Sequence, residues 1–219
     1  MDLLEWVRGP WLTWSFAIFI VGLIGRLAFL YFIGHGVDRV PPKGNPTWGG
    51  TRHLVAASLY HLPNLRRTQF TYGSAALFHL GLLVIVFFFG PHLLFIHDLT
   101  GLFWPALPAP VIDGVAVVTM VTLLAVLFHR LTTPVLRLMS DTNDYIAWLL
   151  TFLPILTGYL TIHNLTPNYP LTLAIHIMSF ELLLVLLPFT KLAHTGLIFV
   201  SRFLTGYEMG KRGVGVRHG

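Results

Sequence analysis

The chain has 219 residues, of which 55% are hydrophobic and only 11% charged, and its formal net charge is +5. A mean hydropathy of +0.72 lies far above that of soluble domains and predicts an integral membrane protein. The absence of cysteine excludes an iron–sulfur cluster, a covalent c-type haem site and a thiolate zinc site within this chain. Any redox metal held here must therefore rely on the eleven histidines.

Five apolar segments are each long enough to cross a bilayer, and a spanning backbone must satisfy its own hydrogen bonds, so we predict five helices. The predicted spans cover residues 11–33, 72–96, 111–128, 145–162 and 171–199. No internal repeat divides the chain, so residues 1–219 are expected to form one all-α integral membrane bundle. The acidic N-terminus is unlike a secretory signal, and the first span is expected to be retained.

The lysines and arginines are concentrated on one side of this predicted bundle. Five lie between the first and second spans, two between the third and fourth, and five near or beyond the end of the fifth, whereas the other side carries only Arg8. The positive-inside rule therefore predicts an N-terminus outside and a C-terminus in the cytoplasm. The loop 34–71 and the tail 200–219 are then cytoplasmic.

Two histidines, His176 and His194, fall within the apolar fifth segment. Eighteen residues separate them, which is five turns of an unbroken helix, so both imidazoles are expected on one face, roughly 27 Å apart. That spacing is close to the thickness of the hydrocarbon core of a bilayer. Two histidines at opposite membrane depths on one helix suggest two metal centres stacked across the membrane.

A partner at matching depth is available for each of these histidines. His79, near the cytoplasmic end of the second span, lies at the predicted depth of His194, as axial ligation of one haem by two helices requires. His176, near the outer end of the fifth segment, needs a second ligand from the outer end of another helix. A lone histidine in a membrane helix is more often a hydrogen-bonded structural residue, but pairing by depth favours ligands.

The stretches LFHLGLL around His79, LTTPVLRLMSDTNDYIAWLL followed by LTGYLTI, and LLLVLLPFTKLAH in the fifth segment carry a family resemblance. They resemble the gamma subunit of respiratory nitrate reductase and related membrane cytochromes b, including those of heterodisulfide-reductase-like and sulfite-reductase-associated complexes. The first span, GLIGRLAFLYFIG, matches less well. The resemblance covers most of the chain from the second span onward. It implies a five-helix bundle in a prokaryotic cytoplasmic (inner) membrane, with b haems between the second and fifth helices.

The resemblance also implies a set of haem ligands. His79 and His194 match the ligands of an inner haem, and His176 matches one ligand of an outer haem. The family's second histidine of span two would fall ten residues after the first, where this chain has Phe89. Phenylalanine cannot ligate iron, so the fourth ligand must come from elsewhere if the outer haem is present.

His92 is the nearest substitute for the missing ligand. On an unbroken helix His92 would point about 140° away from the direction of His79. It could therefore face the same partner helix only if Gly90 and Pro91 bend the chain. The alternatives are ligation by His163 or His97, or the absence of an outer haem.

Cationic side chains near the inner end could bind haem propionates. Arg26 is the only arginine well inside a span and is the candidate for the inner haem, although snorkelling to the lipid headgroups explains it equally well. Arg130 and His129, at the inner end of the third span, could serve the same purpose. His129 is expected to donate a hydrogen bond and not to ligate iron.

Glu181 lies deep in the apolar fifth segment, just over one turn beyond His176. Loss of water disfavours a charged carboxylate at that depth, so the group either relays protons from quinol or hydrogen-bonds a neighbouring backbone carbonyl. The resemblance places quinone chemistry on the outer side, and nothing in the spacing selects among the residues there. The titratable residues available on that side are His92, His97, Asp98, Asp113 and His163.

We therefore expect a cytochrome b subunit that forms the quinone-linked electron-transfer part of a respiratory oxidoreductase. Its cofactors would be b haems, with quinone or quinol as diffusible substrate. Its partners would be membrane lipid and a cytoplasmic iron–sulfur subunit of the heterodisulfide-reductase-like or nitrate reductase beta-like type, with no nucleic acid. The terminal substrate chemistry must then lie in another chain. The alternative is a haem-free membrane anchor or a small proton-handling transporter.

Overall fold

The computed structural model describes residues 2–33, 40–58 and 65–214, and no strand occurs among them. A short helix α1 (Leu3–Trp6) and a π-helical turn (Val7–Trp11) lead into α2 (Leu12–Ile33). The other helices in chain order are α3 (Pro46–Ser58), α4 (Leu65–Phe88), α5 (Gly90–Thr100), α6 (Ala109–Thr132), α7 (Pro134–Met139), α8 (Thr142–Ile162), α9 (Tyr169–Leu186) and α10 (His194–Lys211). The predicted all-α class is confirmed.

Within the described part of the chain, five helical stretches are long and apolar enough to cross a membrane, as predicted. They are Leu3–Phe32, Gln69–Phe88, Ala109–Thr132, Thr142–Ile162 and Tyr169–Phe189. The chain divides into two compact units. The first comprises Met1–Ser15 and Thr68–Leu184, and the second comprises Phe16–Arg67 and Val185–Gly219.

The predicted second span, 72–96, is two helices and not one. Helix α4 ends at Phe88, Phe89 has an extended backbone (φ −83°, ψ 128°), and α5 begins at Gly90 with Pro91 in its first turn. A proline suits that position because the first backbone N–H groups of a helix have no intrahelical acceptor. The bend anticipated from the Gly-Pro pair is present, one residue before it.

The carbonyl groups freed at this break find new donors, which is why the break is stable within an apolar segment. The Trp104 indole Nε1 donates to the Phe87 carbonyl at 2.6 Å. The backbone N–H of Leu107 donates to the Phe88 carbonyl at 2.9 Å. His92 Nδ1 also donates to the Ile85 carbonyl, at 3.0 Å, and so ties the start of α5 to the last turn of α4.

The predicted fifth span, 171–199, is also interrupted. Helix α9 gives way to a 3-10 turn at Leu187–Phe189, Thr190 is extended (φ −113°, ψ 179°), and a second 3-10 turn precedes α10. Pro188 lacks the N–H needed to continue the helix, and the Thr190 hydroxyl accepts from the Leu192 N–H as a new N-cap. The prediction that one unbroken helix carries both of its histidines on one face is therefore wrong.

The core of the first unit is formed where α4, α6 and α8 pack together. Four buried side chains make up its centre, namely Ile85, Ala116, Leu123 and Ile155. The Trp148 indole donates to the Leu123 carbonyl at 2.8 Å and joins α8 to α6. Closer to the end of α6 and the start of α8, Arg130 donates to Ser140 at 2.9 Å and lies 3.3 Å from Asp144, so the same two helices are joined twice.

In the second unit, α3 and α10 pack closely through glycines. A β-carbon on Gly49 would lie 2.5 Å from the Gly206 carbonyl oxygen and 2.6 Å from the Gly210 α-carbon. Such an approach is possible only without side chains at these positions. Much of the predicted tail 200–219 is therefore a packed helix.

We expect Gly81→Ala to destabilise the first unit. A β-carbon on Gly81 would overlap the hydroxyl of the buried Thr119, which is 1% exposed, so α4 and α6 would have to separate. Overpacking of this kind costs about 1–3 kcal/mol. Thermal unfolding of the purified protein in detergent measures the effect. Gly73→Ala in the same helix meets nothing within 4 Å and is the control; equal stability of the two variants would contradict the packing described.

Candidate functional site

The bend at Phe89 brings His92 of α5 next to His176 of α9, within the first unit. The two imidazole ring centres lie 6.1 Å apart, and the ring planes differ by 18°. His92 thus lies beside the histidine it was predicted to partner. The residue that occupies the family's ligand position, Phe89, packs edge-on against His92 with ring centres 5.1 Å apart.

His92 carries its proton on Nδ1. The neighbouring group, 3.0 Å away, is the Ile85 carbonyl, which can only accept a hydrogen bond. A neutral imidazole with a proton on Nδ1 keeps a lone pair on Nε2, the form in which histidine binds metal ions. The hydrogen bond therefore both orients the ring and selects the nitrogen that is free to act as a ligand.

His176 has the same arrangement, supplied by α8. Its Nδ1 lies 3.2 Å from the Thr157 hydroxyl. That hydroxyl donates its own proton to the Leu153 carbonyl at 2.7 Å, so it accepts from the imidazole. Ser179, 3.1 Å from Thr157, donates to the carbonyl of His176 itself at 2.7 Å. When the Thr157 hydroxyl donates to the Leu153 carbonyl, Nδ1 of His176 carries the ring proton and Nε2 keeps the lone pair; the Pro154 carbonyl also interacts with this ring.

Gly158 makes room for the His176 ring. A β-carbon on Gly158 would lie 2.9 Å from Cε1 and 3.3 Å from Nδ1 of the imidazole. Thr157 and Gly158 both belong to the LTGYLTI stretch that contributed to the family resemblance, so their part in positioning the ring gives that stretch a physical role.

The distance between the two ring centres matches that of two imidazoles that ligate one metal ion, and in the structure the two near-parallel rings are stacked. A metal–imidazole bond is about 2 Å long and the ring centre lies about 1 Å beyond the nitrogen, so two such rings have centres about 6 Å apart. The described residues contain no group of three or more His, Cys, Asp or Glu side chains suited to a metal ion. Two axial imidazoles are sufficient for a haem, because the porphyrin supplies the other four nitrogens.

His79 and His194 show the same hydrogen-bond pattern individually. His79 Nδ1 donates to the Ala75 carbonyl at 2.7 Å, and His194 Nδ1 donates to the Lys191 carbonyl at 2.8 Å. Each keeps its Nε2 lone pair. His79 belongs to the first unit and His194 to the second, and their pairing stays a prediction.

The alternative outer ligands make other contacts. His163 Nε2 lies 3.3 Å from Asp113 Oδ1, and the ring of His163 packs on Tyr159. His97 is exposed on α5 and lies edge-on to Phe103 with ring centres 5.9 Å apart. Neither contact resembles the Nδ1-to-oxygen arrangement of the two facing histidines.

The arginines proposed for propionates differ in their surroundings. Arg26 is exposed on α2 and forms no ion pair with the described residues, which suits either propionate binding or snorkelling. Arg130 is engaged with Ser140 and Asp144. His129 makes a hydrogen bond with the Thr133 hydroxyl at 3.2 Å, so its Nδ1 is used within its own helix end.

Glu181 is fully buried in α9, with 0% exposure. Neither carboxyl oxygen has a hydrogen-bond partner among the described residues, so the bond to a backbone carbonyl considered from the sequence is not made there. Buried polar groups are almost always paired, and an unpaired one requires a reason.

Several of these contacts could not be found from sequence. The roles of Thr157, Gly158 and Ser179 depend on how α8 packs on α9, and the Asp113–His163 pair joins the ends of two different helices. The only available signal was the presence of Thr and Gly within the family-like stretch of α8.

Comparison with known proteins gives one relative of similar length. A curated protein of Nitratidesulfovibrio vulgaris (strain Hildenborough), described as "Protein", is 28% identical over an alignment of 218 residues that covers 96% of this chain and 96% of that protein. No family model matches the chain, and no solved structure matches it.

Proposed function

We propose that this chain is the haem b-containing membrane subunit of a respiratory oxidoreductase, transferring electrons between the quinone pool and a cytoplasmic iron–sulfur partner. The observation that supports the proposal is the pair His92 and His176, whose ring centres lie 6.1 Å apart and whose Nδ1 atoms each lie within hydrogen-bond distance of an oxygen. Histidine ligands of metals are held in this way by the group bonded to their second nitrogen. An outer haem is assigned to this pair.

His79 and His194 are assigned to the inner haem that the resemblance implies, and the carbonyl bonds of their Nδ1 atoms support the assignment. A bound b haem supplies reversible one-electron chemistry. The residues of this chain hold the imidazoles in one orientation through hydrogen bonds to Nδ1, and such bonds tune the reduction potential of a ligated haem. The concentration of Lys and Arg in the loops on one side supports an N-terminus outside in a prokaryotic cytoplasmic membrane.

The visible spectrum and haem content of the purified full chain test this proposal. The protein is expected to show b-type absorption in the reduced state, with more than one haem per chain if both sites are filled. A colourless protein, purified from cells that load another b cytochrome expressed in parallel, would refute it. Co-purification of a cysteine-rich iron–sulfur chain from the native membrane would identify the partner.

Gly158→Ala is expected to weaken haem binding at the outer site. The added methyl group would lie 2.9 Å from the His176 ring, which Thr157 prevents from moving freely. Overpacking costs about 1–3 kcal/mol, so haem affinity should fall by about 5-fold to 150-fold. Haem content after dilution in detergent is the measurement. Gly114→Ala, which meets nothing within 4 Å, is the matched control and should retain all its haem; identical retention in both variants would contradict the site.

A haem-free, proton-handling transporter is the second candidate, and the unpartnered carboxyl group of Glu181 is the observation that favours it. Ionisable groups inside membrane helices mark proton pathways in many transporters. This candidate predicts a colourless protein whose reconstituted vesicles take up protons, and in which His92→Ala affects transport but removes no chromophore.

A further inference from the structure

Helix α3 presents one face to α10 and leaves the opposite face exposed. Gly49 and Gly50 lie against α10. On the opposite side of the helix, Trp48 and Val55 are 63% and 56% exposed, and Arg52 lies between them and is exposed as well. At about 100° per residue, these three side chains lie within about 60° of one another around the helix. Together they form the exposed face of α3.

Contacts within the second unit relate α3 to the end of the first apolar stretch. A β-carbon on Gly196, in the first turn of α10, would lie 2.8 Å from a methyl group of Leu23 in α2. That stretch ends at Phe32, nine residues beyond Leu23 and therefore about 14 Å further along α2. By the predicted topology both helices run toward the cytoplasm, and a similar length of α10 ends at Gly206, where α3 packs. Helix α3 thus lies at the level where the first stretch leaves the hydrocarbon core.

The direction of α3 orders its side chains across this boundary. The backbone N–H of Lys43, which precedes α3, donates to the carbonyl of Lys211 at the end of α10, at 2.9 Å. Gly50, one turn into α3, lies against Phe203 in the middle of α10. The two helices are therefore antiparallel, and α3 runs back toward the membrane. Val55, near the end of α3, is the member of the exposed face that lies nearest the apolar side.

The charge around this face is strongly positive. The segments 40–58 and 191–214 contain six Lys or Arg residues and one acidic residue, Glu208. Arg52 forms no ion pair with a described residue, so its guanidinium is available to an anion. An acidic protein and an anionic lipid headgroup both satisfy this charge. The level of α3 and its exposed tryptophan favour the lipid, because tryptophan and cationic side chains on one helix are typical of the headgroup region.

We propose that the exposed face of α3 binds anionic phospholipid headgroups of the cytoplasmic leaflet. The Arg52 guanidinium donates hydrogen bonds to the lipid phosphate, a geometry for which its planar group of donors is suited. The Trp48 ring lies among the headgroups, and Val55 contacts the first part of the acyl chains. The close packing of α3 on α10 holds this face toward the lipid. This inference concerns lipid binding and is independent of haem.

Fluorescence of the full chain in nanodiscs tests the proposal. The chain has six tryptophans, so the signal that Trp48→Phe removes is the signal of Trp48. Phosphatidylcholine discs receive increasing fractions of brominated phosphatidylglycerol or brominated phosphatidylcholine, and bromine quenches only tryptophans that contact lipid. We expect half-quenching of Trp48 at a several-fold lower fraction of the anionic lipid, with a preference that weakens at high salt.

Arg52→Gln should reduce this preference about fivefold, which corresponds to the contribution of one cation near an anionic membrane surface. Arg137→Gln is the matched control, because Arg137 is exposed on α7 in the other unit, and it should keep the wild-type preference. Both substitutions remove an exposed side chain, and equal melting temperatures verify the fold. Equal quenching by the two lipids, or a wild-type preference in Arg52→Gln, would overturn the proposal. Absence of quenching by either lipid would also overturn it and would leave an acidic protein as the occupant. A colourless protein would refute the haem sites and leave these expectations unchanged.

Discussion

His176→Ala is expected to remove the outer haem and leave the inner one. The substitution deletes one of the two imidazoles that face each other at 6.1 Å, and a haem with a single protein ligand in an apolar site is weakly retained. Haem content per chain should therefore fall by about one, and the redox titration should lose one of its components. His92→Ala should remove the same component, and the double variant should lose no more than either single variant.

Chemical rescue separates loss of a ligand from misfolding. His176→Gly leaves space where the imidazole was, and free imidazole added during haem loading should restore the missing redox component. His163→Ala, in which the removed imidazole pairs with Asp113 instead, is the control and should keep both haems. If His163→Ala removes the outer haem and His92→Ala does not, the ligand assignment is wrong.

Glu181→Leu is expected to raise thermal stability and to slow quinol-driven electron transfer. The carboxyl group is fully buried and neither oxygen is paired among the described residues. An unsatisfied buried polar group costs about 1–3 kcal/mol, so replacing it by an apolar side chain of similar size should raise the melting temperature by roughly 2–10 °C. Stabilisation on removal would indicate that Glu181 is retained for a function, and the proton relay considered from the sequence stays a prediction.

The control for this prediction is Ser179, a neighbouring buried polar residue whose side chain is hydrogen-bonded. Ser179 donates to the His176 carbonyl at 2.7 Å, so Ser179→Ala loses a hydrogen bond and should not raise stability. Scanning fluorimetry in detergent measures both variants. If the Glu181→Leu variant melts at or below the wild-type temperature, the carboxyl group has a stabilising partner. If its electron transfer rate is unchanged, Glu181 does not relay protons.

The helical class, the five apolar stretches and the bend before His92 could be predicted from sequence, because each depends on local chemistry. Apolar length determines whether a helix can span a bilayer. Pro91 cannot continue α4 because it lacks a donor and its ring would clash with the preceding turn. The consequence for His92 followed from helical geometry alone, since only a bent chain could bring its ring to the partner helix.

The break in the fifth segment was missed although Pro188 is visible in the sequence. Hydropathy across this segment stays high, and hydropathy reports burial in lipid, not continuity of the backbone. The extended conformation of Thr190 depends on its side chain capping the next turn, which the apolar pattern conceals. Contacts such as Thr157 with His176 depend on helix packing, and no spacing within one helix predicts them.

The hydrogen bond between His92 and the Ile85 carbonyl restricts what evolution can substitute at position 92. Methionine also ligates haem iron, but its thioether has no proton to donate, so the hydrogen bond to the Ile85 carbonyl that orients the side chain would be lost. Lysine could donate but would bring a charge. Under the proposed ligation, position 92 binds iron with one nitrogen and the backbone with the other, and imidazole presents both functions on one rigid ring.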